Sequence, residues 1–142
     1  MASILERDTL VTISDWLRRV DLEDELKRVA LSREQRTGHL PRLLIELVQR
    51  LREPLSLGSQ HLSQAAGEHG RVRHAQGYSI PMVVEESRIL QVSIFQTLQN
   101  NLGTVDFSLL LTDVMTIADE VDSQLKQTVD SFISQEAIIR AA

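Results

Sequence analysis

The sequence predicts an all-α protein, a single helical bundle of five to six helices with a long C-terminal helix, in which residues 1–142 form one domain. Three observations predict it. Apolar residues, Leu foremost, recur at steps of three and four, with few β-branched alternations. Six Gly and three Pro are too few for an architecture of many tight turns. Capping patterns punctuate the apolar stripes at helical intervals. A domain of this length hides roughly 70% of the surface of its unfolded chain, so a core forms without metal or disulfide staples.

The elements follow in order. Ser3-Ile-Leu-Glu6 is a capping-box pattern, and it predicts a first helix from about Ile4 to Val20. Its inner face takes Ile4 or Leu5, Leu10, Ile13, Leu17 and Val20, with Trp16 along one edge. Asp21–Glu25 opens a short second helix, in which Glu23 with Lys27 and Asp24 with Arg28 are favourable i,i+4 pairs. Ser32-Arg-Glu-Gln35 is a second capping box, and Gly38 interrupts the helix it starts. Leu40, Leu43, Leu44, Leu47, Val48 and Leu51 then form a 3.6-period stripe, with Arg42, Glu46, Arg50 and Arg52 off it and Pro54 closing the helix.

After a connection over 54–58, a helix begins at or beside Ser59 and runs to about Gln76, with Gly67 and Gly70 in its interior. Each Gly costs roughly 1 kcal/mol relative to Ala, so a bare backbone there implies close approach of a neighbouring helix or a bound group. Gly77 suits the left-handed position that ends a helix. Ser79 is the next N-cap, Pro81 lies in the following first turn, and Tyr78 with Val83 reads as a hydrophobic staple across it.

From Ile80 to Asn101 the helix is apolar on most of its circumference, and a helix of that kind is central; Glu85, Glu86 and Arg88 are its charged exceptions. Asn101-Leu-Gly103 stops it, and Thr104 or Asp106 caps the last helix, placed at about 107–135 and reading on toward the end. Along it Phe107, Leu111, Val114, Ala118, Val121, Leu125, Thr128 and Phe132 alternate steps of four and three, a heptad seam with an outer face rich in Asp, Gln, Ser and Thr. Such a seam packs inside the domain at its start or pairs with a second chain toward its end. Val114, Val121, Leu125 and Phe132 are therefore the candidate dimerisation and signalling positions of a homodimer.

Composition excludes several function classes. The absence of Cys removes thiolate catalysis, Cys-ligated zinc, iron–sulfur clusters and disulfides. The net charge of −5 is uneven: residues 1–75 hold twelve Lys/Arg against eleven Asp/Glu, and residues 76–142 hold three against nine. Scattered Arg near carboxylates give no cationic face for phosphates, so nucleic acid is not an expected partner. Apolar runs of only a few residues, and a start without a charged-then-apolar layout, predict a soluble cytoplasmic protein that neither spans a membrane nor is exported. No catalytic residues are predicted. Glu85 and Glu86 point about 100° apart and cannot flank one substrate, no G-x-S-x-G elbow supports a Ser-His-Asp triad, and Gly67 and Gly70 lack the strand and Lys-Ser/Thr of a phosphate loop.

One block rises above helix periodicity. His69-Gly-Arg-Val-Arg73-His-Ala-Gln-Gly77-Tyr78, followed by Val84-Glu-Glu86-Ser-Arg88-Ile-Leu90, resembles the signature of the N-terminal domain of RsbRD-type RsbT co-antagonists. Similar domains occur at the N-terminus of bacterial sensor histidine kinases and of some helix-turn-helix regulators. The resemblance takes in most of the chain and departs at Ser87, where the family usually carries an aromatic. It implies a cofactor-free sensory or regulatory input domain, related in outline to the globin-like input domains of stressosome proteins. Its partner would be an effector module such as a histidine kinase.

His69, Gly70, Arg73, Tyr78, Glu86 and Arg88 are the candidate site residues. His69 and Arg73, four apart, share a helix face. If Glu86 of the central helix faces them, an Arg73–Glu86 pair beside His69 is either a structural network that fixes register or the polar floor of a small-molecule pocket. His69 reads as a buried, hydrogen-bonded anchor of a helix crossing, since His61, His69 and His74, spaced eight and five apart, make a poor metal set. The alternatives are a histidine phosphotransfer domain, although the H-x-x-K-G order is missing, and a haem or small-molecule carrier with a globin-like pocket.

Overall fold

The computed structural model describes residues 1–53, 56–58 and 61–142, and it is all-helical, with no strand among the described residues. The elements are α1 (Ala2–Arg7), α2 (Thr9–Val20), α3 (Asp24–Lys27), α4 (Arg33–Thr37), α5 (Leu40–Arg52), α6 (Gln64–Ala75), α7 (Ile80–Gln99), a 3₁₀ turn (Leu102–Thr104) and α8 (Leu110–Ala141). Helix α1 packs on α5, α2 on α7 and α6 on α8, while α8 also crosses α5 and α7. Among the described residues no helix is long and apolar enough to cross a membrane.

The predicted first helix is two. Asp8 leaves helical geometry at φ −103° and ψ 27°, so α1 and α2 meet at a kink. The backbone ladder nearly survives it, with Asp8 N–H donating to Ile4 and Thr12 N–H to Asp8. The Thr9 hydroxyl bonds back to the Leu5 carbonyl at 2.8 Å, a contact that bends helices. The Asp8 carboxylate is held by Arg7 at 2.8 Å and by Asn101, beyond the far end of α7, at 3.3 Å. The kink turns α2 so that Thr12, Ile13, Trp16, Leu17 and Val20 face inward. Leu10, expected in the core, is 79% exposed, and Trp16, expected at an edge, is almost wholly enclosed. Nor does Ser3–Glu6 form a capping box: the helix starts at Ala2, with no side-chain cap.

The other start signals fare better. Ser32 and Gln35 form the reciprocal box that opens α4, and Gly38 ends it at φ +50°, a conformation that suits a residue without Cβ. The α5 stripe buries Leu40, Leu43, Leu44, Leu47 and Val48, but Arg50, read as off the stripe, is buried with them. Pro54 and Ser59, read as an end and a start, lie outside the described residues; 61–63 are not helical, and α6 begins at Gln64 with Ser63 as N-cap. Ser63 accepts from the Ala66 N–H at 3.0 Å and donates to Glu46 at 2.6 Å. Gly77 takes φ +85° beyond the end of α6. Ser79 caps α7, with Pro81 second in the helix.

The central helix is buried on a face running through Val83, Glu86, Ile89, Leu90, Ser93, Ile94, Thr97 and Leu98, while Val84 and Val92 are exposed. The Thr12 and Thr97 hydroxyls share a 2.7 Å hydrogen bond where α2 crosses α7. Neither Thr104 nor Asp106 caps α8. Asp106 instead binds the N–H and hydroxyl of Ser108, and α8 starts at Leu110 without a side-chain cap.

The seam of α8 is used in the reverse of the expected sense. Phe107 lies in the turn before α8 and is 65% exposed, and Leu111 is 72% exposed, while Val121, Thr128 and Phe132 lie inside the domain. Val114 and Leu125 are half-buried. Val121 and Phe132 are thus core residues of their own chain and present no surface to a second one. Glu120 and Gln124 also point inward.

Candidate functional site

Helices α4, α6 and α7 meet around a buried polar network centred on Arg73. The residue is fully buried. Its Nε donates to Glu86 Oε1 at 2.9 Å, Nη1 to the Gln35 carbonyl at 3.0 Å and to Gln76 Oε1 at 2.6 Å, and Nη2 to the Arg36 carbonyl at 2.5 Å. One guanidinium therefore joins three helices and covers two carbonyls at the end of α4. Tyr78 donates to Glu86 Oε2 at 2.8 Å and accepts from Arg36 Nη1 at 2.5 Å, with the Arg73 guanidinium 4.7 Å from its ring centre. Arg36 extends the network to the Val29 carbonyl at 2.6 Å. The Trp16 indole N–H donates to the Glu86 backbone carbonyl at 3.1 Å and brings α2 in.

Burial sets the electrostatics. It pushes the Glu86 carboxyl up, against the opposing pull of Arg73 and Tyr78. The Tyr78 phenol is raised to about 12, first by burial and then by the Glu86 charge. His69 is driven down to about 3 by burial, and further by Arg73 and His39, so it is neutral at physiological pH.

Next to the network lies a cavity of about 30 Å³ lined by Trp16, His69, Glu86, Ser87, Gln124 and Thr128, with an apolar wall that includes Leu43 and Leu90. That volume suits one to three waters. It is far below the roughly 300–1,000 Å³ of pockets that take drug-sized ligands. His69 is buried as expected but makes no hydrogen bond through Nδ1; its ring meets His39 edge-on at 5.5 Å.

Gly70 has its reason in α8. A Cβ there would sit 2.2 Å from the Thr128 carbonyl oxygen, so two backbones touch. Thr128 Oγ1 donates to the Ala66 carbonyl at 3.1 Å and Ser131 Oγ to that of Gly67 at 2.6 Å, which fastens α6 to α8 along two turns. At Gly67 a Cβ would meet only an Arg71 side-chain nitrogen, at an ordinary contact distance of 3.8 Å.

The structure thus brings together His69, Gly70, Arg73, Tyr78 and Glu86 and leaves Arg88 out. Arg88 is exposed and pairs with Glu85 at 2.6 Å on the outer side of α7. Sequence reasoning missed Arg36 and Trp16 as members, and missed a second buried cluster where Arg50 meets Asp119 at 2.7 Å and Glu120 at 3.4 Å. His61 Nε2 lies 3.0 Å from Glu120 Oε1. No group of three or more His, Asp or Glu placed to hold a metal ion occurs among the described residues.

Because folding lowers the affinity of His69 for a proton, the unfolded chain binds more protons between about 3 and 6.5, and the contribution of this residue to stability is whole above 6.5 and lost as pH falls. Urea titrations from pH 7.5 to 5 should show stability falling, by up to ~1.4 kcal/mol per pH unit from this group. A His69→Gln variant should lose that part of the slope. Glu86, shifted upward, acts in the opposite sense, and Glu86→Gln separates the two. No family model matches the chain, and neither a curated protein nor a solved structure does.

Proposed function

We propose that the chain is a non-catalytic, cytoplasmic bacterial signal-input domain that forms a homodimer and passes a change in helix packing through α8 to an effector such as a histidine kinase or stressosome-type module. The observation that carries this reading is the coupling of α6 to α8 beside a polar network and a cavity. Most of the network hangs on Arg73 of α6, and α6 is fastened to α8 at Gly70, Ala66 and Gly67. A rearrangement at the network therefore moves α8. The resemblance of the 69–90 block to RsbRD-type input domains supports the same reading, and Ser87, where that family carries an aromatic, lines the cavity.

Buried charge networks beside packing slack suit an element with two arrangements a few kcal/mol apart, and a ligand acts on it by preferring one of them. The relay alternative has less support, because a phosphoacceptor imidazole must be reachable and His69 is enclosed. A haem carrier would need a far larger space than this cavity offers.

With Val121 and Phe132 inside, the self-association surface falls to the exposed part of the same helix. Leu111 and Met115, four apart on the outside of the first turns of α8, are exposed, as is Phe107 in the turn before it, next to half-buried Val114 and Ala118. Sedimentation equilibrium should find a dimer at tens of micromolar protein, and Leu111→Lys should weaken it at least tenfold, about 1.4 kcal/mol, with helicity intact. A chain that stays monomeric at high micromolar concentration contradicts the reading.

A further inference from the structure

The polar network accounts for Arg73, Tyr78 and Glu86 but not for the imidazoles beside it. His39, the N-cap residue of α5, and His69 of α6 meet edge-on with ring centres 5.5 Å apart. Each carries a buried Nδ1 with no hydrogen-bond partner. Two neutral rings can share that space; two imidazolium ions cannot, because unpaired charge in a low-dielectric site is strongly disfavoured.

The charged groups around the pair sharpen this. His69 faces His39 from the α4–α5 corner, Arg73 on its own helix, and Glu86 of α7 across the cavity, whose carboxylate is already held by Arg73 and Tyr78. What α2, α5 and α8 present to the cavity beside it is uncharged: Trp16, Leu40, Leu43, Val121, Gln124, Leu125 and Thr128. His39 has Glu68 at 3.5 Å, but Arg42 takes the same Glu68 oxygen at 2.7 Å. A proton on His69 thus meets Arg73 and His39 and finds no free carboxylate.

We propose that the His39–His69 pair is a proton-operated joint, in which protonation below neutral pH parts α6, with α8 attached, from the α4–α5 corner and lets water into the cavity. This rests on the input-domain reading and names the proton as the signal its site is built to take. Burial lowers the proton affinity of both rings in the closed state, which gives the joint its direction. Water supplies the hydration that the closed site withholds, and α8 follows because Gly70, Thr128 and Ser131 hold it to α6.

Trp16, the single tryptophan, lines the cavity and reports its opening. Acrylamide quenching of the full chain, with circular dichroism on the same samples from pH 8 to 5, should show the open fraction growing by up to about tenfold per pH unit below 6.5. Helicity should hold throughout. His69→Gln should abolish the response, and His39→Gln should shift it. The joint is refuted if Trp16 stays equally shielded at pH 5, if its exposure appears only with loss of helicity, or if His69→Gln responds like the parent. Should that variant fail to fold, the imidazole resonances of the parent decide: His69 titrating near 6.5 with Trp16 unmoved overturns the proposal. Sedimentation at pH 8 tests the parent reading separately, since a dimer with a pH-silent Trp16 loses the joint alone.

Discussion

Arg73→Met is expected to cost about 3–5 kcal/mol of unfolding free energy, the range seen when one partner of a buried ion pair is removed. The cost has three sources here. Glu86 keeps only the Tyr78 hydroxyl as a close partner for a charge enclosed in the core. The Gln35 and Arg36 carbonyls at the end of α4 lose their donor. The face of the Tyr78 ring loses its cation. Arg73→Lys keeps the charge but has one donor atom where Arg73 serves four acceptors from three, so it should recover only part of the loss. The double variant Arg73→Met/Glu86→Leu removes both charges and should be less destabilised than the sum of the single ones. Urea denaturation followed by circular dichroism measures all four, and additive losses would mean the two residues do not act as a pair.

The second large effect is at Gly70. Gly70→Ala places a methyl 2.2 Å from the Thr128 carbonyl and 3.1 Å from the Phe132 nitrogen, both backbone atoms of α8 that cannot swing aside. The helices must part, and the bonds of Thr128 and Ser131 to α6 lengthen with them. A loss of about 3 kcal/mol is expected, the upper end for overpacking. Gly67→Ala is the matched control one turn earlier, where the added methyl meets only the far end of the Arg71 side chain at 3.8 Å. It should stabilise by about 0.4–1 kcal/mol through helix propensity and a less flexible unfolded chain. Equal effects at both positions would contradict the close helix contact.

These contrasts also mark what the amino-acid sequence could and could not disclose. The α5 stripe, the Ser32 box, the Gly77 stop and the Ser79 start are local patterns, each settled within one turn of the chain, and the structure carries all of them. Gly70 was legible because an interior glycine needs a reason, although the sequence could not say that the reason was α8 and not a ligand. Arg73 and Glu86 were legible from their shared motif. Arg88 was not excluded by it, yet two positions on from Glu86 is about 200° around the helix, which is the solvent side.

The remainder depended on contacts far apart in the chain. The kink at Asp8 is fixed with the help of Asn101, and beyond it Leu10 faces water and Trp16 the core. Periodicity puts Arg50 off its stripe and is silent on Arg36 and Glu120; each is buried through a partner distant in the chain, Asp119 for Arg50, Tyr78 for Arg36 and Arg50 for Glu120. The α8 seam has the right spacing for pairing, but which half is covered depends on where α6 lies, and α6 lies over Thr128 and Phe132.

In the proposed input domain the packing around the cavity has two arrangements, and α8 moves with them. Methyl relaxation dispersion on the full chain tests it most directly, with Leu43, Val83, Leu90, Val121 and Leu125 as cavity probes and Ile133 and Ile138 as probes of the exposed end of α8. One shared microsecond-to-millisecond process is expected at both sets of probes, with a minor state populated at roughly 0.1–10% that grows as pH falls. Flat profiles at the cavity methyls from pH 8 to 5, or exchange there that leaves Ile133 and Ile138 silent, would contradict it.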